Sequence, residues 1–174
     1  MLLRKQTALT IVLLMIYILL LTNVILFKLP FYSSASETVR VINLIPFHGS
    51  FDDNGVLNLR EIIYNILLFI PLGVYISLLT KWSFMRKMLP ITGLTLAYEI
   101  LQLIFALGRT DVTDLLGNTL GGIIGIGIYT LLFKVFKSKA APVINFLASA
   151  LTVCVVLRFA QLFYLSHFVM GRPR

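Results

Sequence analysis

The chain has 174 residues, of which 59% are hydrophobic and 13% are charged, and its mean hydropathy is +0.95. A typical soluble domain carries about 25% charged residues, so this composition excludes a soluble domain and predicts an integral membrane protein. The formal net charge of +8 comes from Lys and Arg residues dispersed between apolar stretches, which argues against a nucleic-acid-binding surface.

Five apolar stretches are each long enough to cross a hydrocarbon core of about 30 Å as an α-helix. In chain order, the predicted spans are residues 7–27, 62–80, 88–107, 115–133 and 143–168. We interpret the first as a retained anchor, because no small-residue cleavage pattern precedes Lys28. The sequence therefore predicts one all-α domain, residues 1–174, that forms a polytopic membrane helix bundle of about five transmembrane helices.

The connections between these spans differ in charge on the two sides of the membrane. If the N-terminus is cytoplasmic, the cytoplasmic segments contain basic residues and no acidic ones: Arg4, Lys5, Lys81, Arg86, Lys87, Lys134, Lys137 and Lys139. An excess of Lys and Arg marks cytoplasmic loops, so we predict a cytoplasmic N-terminus. Arg172 and Arg174 oppose this pattern, which leaves a re-entrant or interfacial end to the fifth span as an alternative.

Two prolines restrict the predicted structure, one in the segment between the first two spans and one in the second span. Pro46 prevents a regular helix and restricts Ile45 to extended geometry, so we expect residues 43–47 to lie against the outer membrane face or to enter the bundle. Pro71 predicts a kinked second helix, because it leaves a carbonyl near Leu67 without its helical donor. A functional alternative is that the kink opens a cavity beside Asn65.

Residues 108–118 place an arginine, two carboxylates and a carboxamide between the third and fourth spans. Asp111, Asp114 and Asn118 are spaced i, i+3 and i+7, which predicts one polar face near the positive end of the fourth helix. A stripe of glycines follows, at Gly117, Gly121 and Gly125, with Gly122 beside them. Small residues at this spacing favour close helix packing, and we expect the stripe to press this face against the third helix.

Polar residues from several spans are predicted to lie at one depth. Glu99 and Gln102 share a face of the third helix, and counting about 1.5 Å per residue brings them level with the polar residues of the neighbouring spans. We predict an outward-facing binding cluster of Asn65, Glu99, Gln102, Arg109, Asp111, Asp114 and Asn118, with Arg158 as a further candidate.

Each of these residues has a structural alternative. Glu99 and Arg158 could form an ion pair that fixes helix packing. Asn65 and Gln102 could be interhelical hydrogen-bonding residues, worth about 0.6–2 kcal/mol each. Either Asp111 or Asp114 could be an ordinary helix cap.

The chain resembles the VanZ-like family of bacterial membrane proteins in four elements, which occur in the order that the family has. These elements are residues 43–47, residues 65–73, the pair Glu99 and Gln102, and residues 109–121. The resemblance covers residues 41–133, which we take as a VanZ-like core, and residues 134–174 are predicted to supply a cytoplasmic loop and the fifth span. It implies a multi-pass protein of a plasma membrane of the Gram-positive type, and the orientation predicted from the loop charges places the cluster on the extracytoplasmic side. It also implies a link to low-level resistance to the lipoglycopeptide teicoplanin.

Three functions fit these residues. The first, which we favour, is a non-enzymatic protein whose partners are membrane lipids and an amphiphile, either the antibiotic or a lipid-linked cell-wall precursor. The second is an intramembrane enzyme acting on a lipid or polyprenyl phosphate, in which Asp111 and Asp114 hold Mg²⁺, Arg109 clamps a phosphate and Glu99 is an acid or base. The third is a transporter with Glu99 as proton carrier. Whether the protein is catalytic stays open at this point.

Overall fold

The computed structural model describes residues 2–27, 41–51, 59–106 and 109–164. Within these ranges the chain forms five α-helices and a short two-stranded parallel sheet. The elements are α1 Leu2–Phe27, β1 Val41–Asn43, α2 Leu59–Leu79, α3 Phe84–Phe105, β2 Arg109–Asp111, α4 Val112–Phe136 and α5 Ala140–Tyr164.

The helices fit a multi-pass membrane protein. Among the described residues, four stretches are long and apolar enough to cross a membrane: Lys5–Leu26, Leu59–Leu79, Phe84–Phe105 and Val112–Gln161. The last stretch has 50 residues, about 75 Å if it were straight, so it exceeds one hydrocarbon core of about 30 Å. The all-α membrane bundle is therefore confirmed, and the prediction of about five helices is close.

The last stretch is divided by a backbone break at its centre. Lys137 has φ 49° and ψ −120°, and a 3₁₀ turn over Lys137–Lys139 leads directly into α5. Near the start of α5, Asn145 donates to Gln6 and accepts from Thr10, close to the start of α1. Because these early residues of α1 and α5 meet, the two helices run side by side in the same direction.

The tightest packing in the bundle is between α2 and α4. A Cβ atom added at Gly121 or Gly125 would overlap a backbone carbonyl of α2, that of Ile66 or Ile70 respectively. Gly121 and Gly125 therefore pack against α2 and not against the third helix, although Asn118 and the Asp111 amide of the predicted polar face do reach the third helix. Gly122, one residue round the helix, is the glycine that meets α3, at Ile91.

A buried aromatic contact marks the centre of the bundle. Phe69 of α2 and Tyr98 of α3 are fully or nearly fully buried, and their rings meet edge to face with centroids 6.4 Å apart. The Tyr98 hydroxyl lies 2.8 Å from Thr22 Oγ1 of α1. Three helices are therefore joined at this point by apolar contact and a hydrogen bond.

Tyr17 of α1 lies beside the proline turn of α2. Its hydroxyl donates to the Leu68 carbonyl oxygen at 2.7 Å, three residues before Pro71. Pro71 has no amide hydrogen to donate in this turn, and the Tyr17 hydroxyl supplies a hydrogen-bond donor there. A cavity does lie against Pro71, but Asn65 is not part of its lining and faces α4 instead.

We expect Tyr17→Phe to lower the free energy of unfolding by about 1 kcal/mol, because one hydrogen bond is lost while the ring is kept. The midpoint of SDS-induced unfolding in mixed micelles measures the change. Tyr64→Phe is the matched control, since the Tyr64 ring is about half exposed and no hydrogen bond of its hydroxyl is seen within the described residues. Equal midpoints for the two variants would mean that the hydrogen bond from Tyr17 to Leu68 does not stabilise the protein.

Candidate functional site

The site is built around a three-residue parallel ladder between distant parts of the chain. β1 precedes α2 and β2 immediately precedes α4, and the ladder places Asn43 opposite Asp111. The pairing fixes residues 41–51, which we call the outer segment after their predicted position, against the start of α4. The all-α prediction did not include this ladder.

Asp111 is the centre of the hydrogen-bonding network at the ladder. One of its carboxylate oxygens accepts from the Thr113 amide at 2.8 Å, which caps α4, and the other accepts from Asn43 Nδ2 at 2.9 Å. Its own amide donates to Glu99 Oε2 at 3.0 Å. Asp111 and Glu99 are 5% and 6% exposed. The cap interpretation of Asp111 therefore describes one of its oxygens, and the second oxygen holds the outer segment.

The outer segment makes a second contact with α4 through Phe47. The Phe47 amide donates to Thr113 Oγ1 at 2.9 Å, and its backbone has φ 64°. A left-handed conformation costs a non-glycine residue about 1–2 kcal/mol, so neighbouring contacts must hold it. Backbone bonds from His48 to Ile45 and from Ser50 to Phe47 close the turn around it.

The remaining predicted polar residues join pairs of helices. Asn65 of α2 donates to Asp114 Oδ1 at 2.7 Å, and Asn118 of α4 donates to the Thr95 hydroxyl of α3, also at 2.7 Å. Because Asp114 is directed to α2 whereas Asn118 is directed to α3, the predicted single polar face is divided between two neighbours.

Gln102 joins α3 to α1. Its Nε2 donates to the Ile25 carbonyl oxygen at 3.0 Å, and its side chain is 2% exposed. This contact and the bond from Asn65 to Asp114 agree with the interpretation of Asn65 and Gln102 as interhelical hydrogen-bonding residues.

The structure describes the two arginines that were candidates for the cluster to different extents. The backbone of Arg109 lies in β2, while its side chain lies outside what the structure describes. Arg158 is exposed on α5 and donates to Gln161 Oε1 of the same helix at 2.8 Å. The alternative of an ion pair between Arg158 and Glu99 is wrong, because α5 packs beside α1 while Glu99 is directed to the ladder.

The chemistry of the network is dominated by hydrogen-bond acceptors. Both Asp111 oxygens accept from protein N–H groups, and the buried Gln102 Oε1 and Asn118 Oδ1 have no donor within the described part of the chain. Buried acceptors of this kind are satisfied by a water molecule or by a ligand N–H or O–H. Among the described residues, no three His, Cys, Asp or Glu side chains form a group that could hold a metal ion.

Three network residues were not predicted as site residues: Asn43, Thr95 and Thr113. Asn43 and Thr113 both lie in segments that the sequence analysis singled out, at the proline-containing outer segment and at the charged motif. Thr95 is four residues before Glu99 on α3, so helical spacing was the signal that could have found it.

Comparisons with known proteins give a consistent result. A family model described as VanZ/LLP1 matches residues 14–134. Protein VanZ of Enterococcus faecium is 37% identical to this chain over 130 residues, which cover 73% of this chain and 77% of that protein. No solved structure matches.

Proposed function

Because the chain belongs to the VanZ/LLP1 family, we propose that it is a non-enzymatic protein of the bacterial plasma membrane that lowers susceptibility to teicoplanin. It acts by engaging an amphiphile at the outer leaflet, either the acyl chain of the antibiotic or a lipid-linked cell-wall precursor. Support for the link to resistance comes from the relative Protein VanZ. Support for the amphiphile comes from the chemistry at the ladder.

The proposed orientation has a cytoplasmic N-terminus and an extracytoplasmic ladder. Its support is the charge of the connections at the opposite end of the bundle, where α2 joins α3 and α4 joins α5. These connections, the helix ends beside them and the start of α1 carry Lys5, Lys81, Arg86, Lys87, Lys134, Lys137 and Lys139. Cytoplasmic loops carry such an excess of basic residues.

The observation that carries the proposal is an exposed apolar segment that is bonded directly to the buried polar network, at Asp111 and Thr113. The outer segment is held at Asn43 and Phe47, yet it exposes five large apolar side chains. These are Ile42, Leu44, Ile45, Phe47 and Phe51, each 42–74% exposed. An amphiphile meets both chemistries, because its tail packs on the apolar side chains while its N–H and O–H groups reach the acceptors.

We expect expression in a susceptible Gram-positive host to raise the minimum inhibitory concentration of teicoplanin several-fold. A glycopeptide without an acyl chain is the comparison compound, and its inhibitory concentration should stay unchanged if the tail is recognised. Unchanged teicoplanin susceptibility, with the protein verified in the membrane, would refute the resistance function. Equal protection against both compounds would refute recognition of the tail.

A pair of variants tests the outer segment itself. Leu44→Asn places a polar side chain at a position that is 74% exposed on this segment, whereas Met85→Asn makes a comparable change at an equally exposed position near the start of α3. Under the proposal, Leu44→Asn reduces the protection and Met85→Asn does not. Similar protection by both variants would remove the outer segment from the mechanism.

A further inference from the structure

An open cleft lies between α1, α2, α4 and α5, apart from the polar network. Its volume is about 540 Å³ and its lining is almost entirely apolar. The α5 wall extends from Ile144 to Phe159, and Tyr17 and Pro71 contribute to the walls from α1 and α2. None of the seven predicted cluster residues lines it.

The dimensions of the cleft suit one hydrocarbon chain. Fifteen helical rises along the α5 wall span about 22 Å, and 540 Å³ spread over this length gives a mean cross-section of about 25 Å². A single extended hydrocarbon chain has a cross-section of this order, and the length exceeds half of a hydrocarbon core of about 30 Å. Apolar cavities do not retain ordered water but accept apolar guests. The Tyr17 hydroxyl on the wall already donates to Leu68, so it does not need a water molecule.

A positive charge lies beside one end of the cleft. Arg158 directly precedes Phe159 and follows Val155 by three residues, and both of these neighbours line the cleft. The Arg158 side chain is exposed, and no carboxylate in the described ranges bonds to it. Since α1 and α5 run in the same direction, this end is level with the last turns of α1, near the Gln102 contact. A guanidinium in an apolar span is costly unless it meets a head group or an anion, and it suits the oxygens of a phosphate.

We propose that the cleft holds one acyl chain of an anionic phospholipid from the surrounding bilayer, with the lipid phosphate bound to Arg158. Three features favour this occupant: the apolar lining of the cleft, its mean cross-section, which suits one hydrocarbon chain, and the guanidinium beside its end. The proposal concerns the purified chain in a bilayer and does not depend on the resistance function.

Photo-cross-linking tests the assignment. The full chain is placed in phosphatidylcholine nanodiscs that contain a trace of phosphatidylglycerol with a diazirine on one acyl chain, and adducts are mapped by peptide mass spectrometry. We expect adducts to concentrate on cleft residues of α1, α2 and α5. Ala148→Trp fills the cleft and should reduce them several-fold, while Ala150→Trp, the same substitution at an exposed position of α5 outside the lining, should not. Equal adducts in the two variants, or even labelling of all exposed faces, would overturn the proposal.

Competition experiments on the unaltered cleft do not depend on how Ala148→Trp folds. Excess unlabelled phosphatidylglycerol should reduce cleft labelling several-fold more than excess phosphatidylcholine, and Arg158→Gln should remove this preference. If both lipids compete equally in the unaltered chain, the phosphate assignment fails. If teicoplanin displaces the label whereas excess phosphatidylglycerol does not, the occupant is the antibiotic tail and the phospholipid is excluded. Cellular susceptibility plays no part in these readouts, so the two proposals can fail separately.

Discussion

Gly125→Ala should destabilise the bundle by about 1–3 kcal/mol or more, because the added methyl group has no room between α2 and α4. The new Cβ would overlap the Ile70 carbonyl oxygen and approach Gly73 Cα at 3.0 Å. Both neighbours are backbone atoms, so neither can move aside without separating the helices. We expect a large drop in the midpoint of SDS-induced unfolding and a lower yield of monodisperse protein.

The chain offers a closely matched control for this change at Gly127. Gly127 lies two residues further along α4, and a Cβ there meets nothing within 4 Å. Gly127→Ala should therefore leave stability unchanged or raise it by up to about 1 kcal/mol, since alanine is the better helix former. Similar unfolding midpoints for the two variants would mean that α2 and α4 do not meet backbone to backbone at Gly125.

The helices were predictable because the environment dictates them. A chain crossing hydrocarbon must satisfy its backbone internally, so each long apolar stretch becomes a helix, and each predicted span overlaps one of α1 to α5. Counting along the spans also predicted one level for Asn65, Glu99 and Asp111, since the rise per residue is fixed, and the bonds of Asn65 to Asp114 and of the Asp111 amide to Glu99 agree with this prediction. The association of these residues with the fourth helix or its first residues could therefore be predicted from the sequence.

The partner that each polar residue takes was not predictable in the same way. The partner depends on how each helix is rotated about its own axis, because a shift of one position along the sequence turns a side chain toward a different neighbouring helix. Gly121 and Gly122 are an example, since the first meets α2 and the second meets α3. For the same reason, depth alone wrongly joined Arg158 to Glu99. The ladder was beyond prediction because three-residue strands carry almost no periodic signal and Asn43 and Asp111 are 68 residues apart.

Asp111→Asn should release the outer segment from α4 although the side chain hardly changes in size. Both carboxylate oxygens accept from N–H donors, so an amide group at this position turns its own NH₂ toward either Thr113 or Asn43. Leaving a buried donor unpaired costs about 1–3 kcal/mol. Because every 1.4 kcal/mol is about tenfold in an equilibrium, we expect amide hydrogen exchange in residues 41–51 to accelerate about tenfold or more.

Exchange in two parts of the chain distinguishes release of the segment from general unfolding. Amides in the middle of α3, remote from the ladder, should keep their wild-type exchange rates in Asp111→Asn. Asn43→Ala removes the bond to Asp111 and the bond that Asn43 Oδ1 accepts from the Ile45 amide, but it leaves the cap on α4, so exchange should rise in residues 41–51 and not in the first turn of α4. Asn23→Ala, at an exposed asparagine that bonds only a carbonyl of its own helix in the described structure, should have no effect there. If Asp111→Asn exchanges like wild type over residues 41–51, the carboxylate does not hold the segment. The exposed apolar side chains of that segment would then have no fixed relation to the buried acceptors, and the amphiphile proposal would lose its geometric basis.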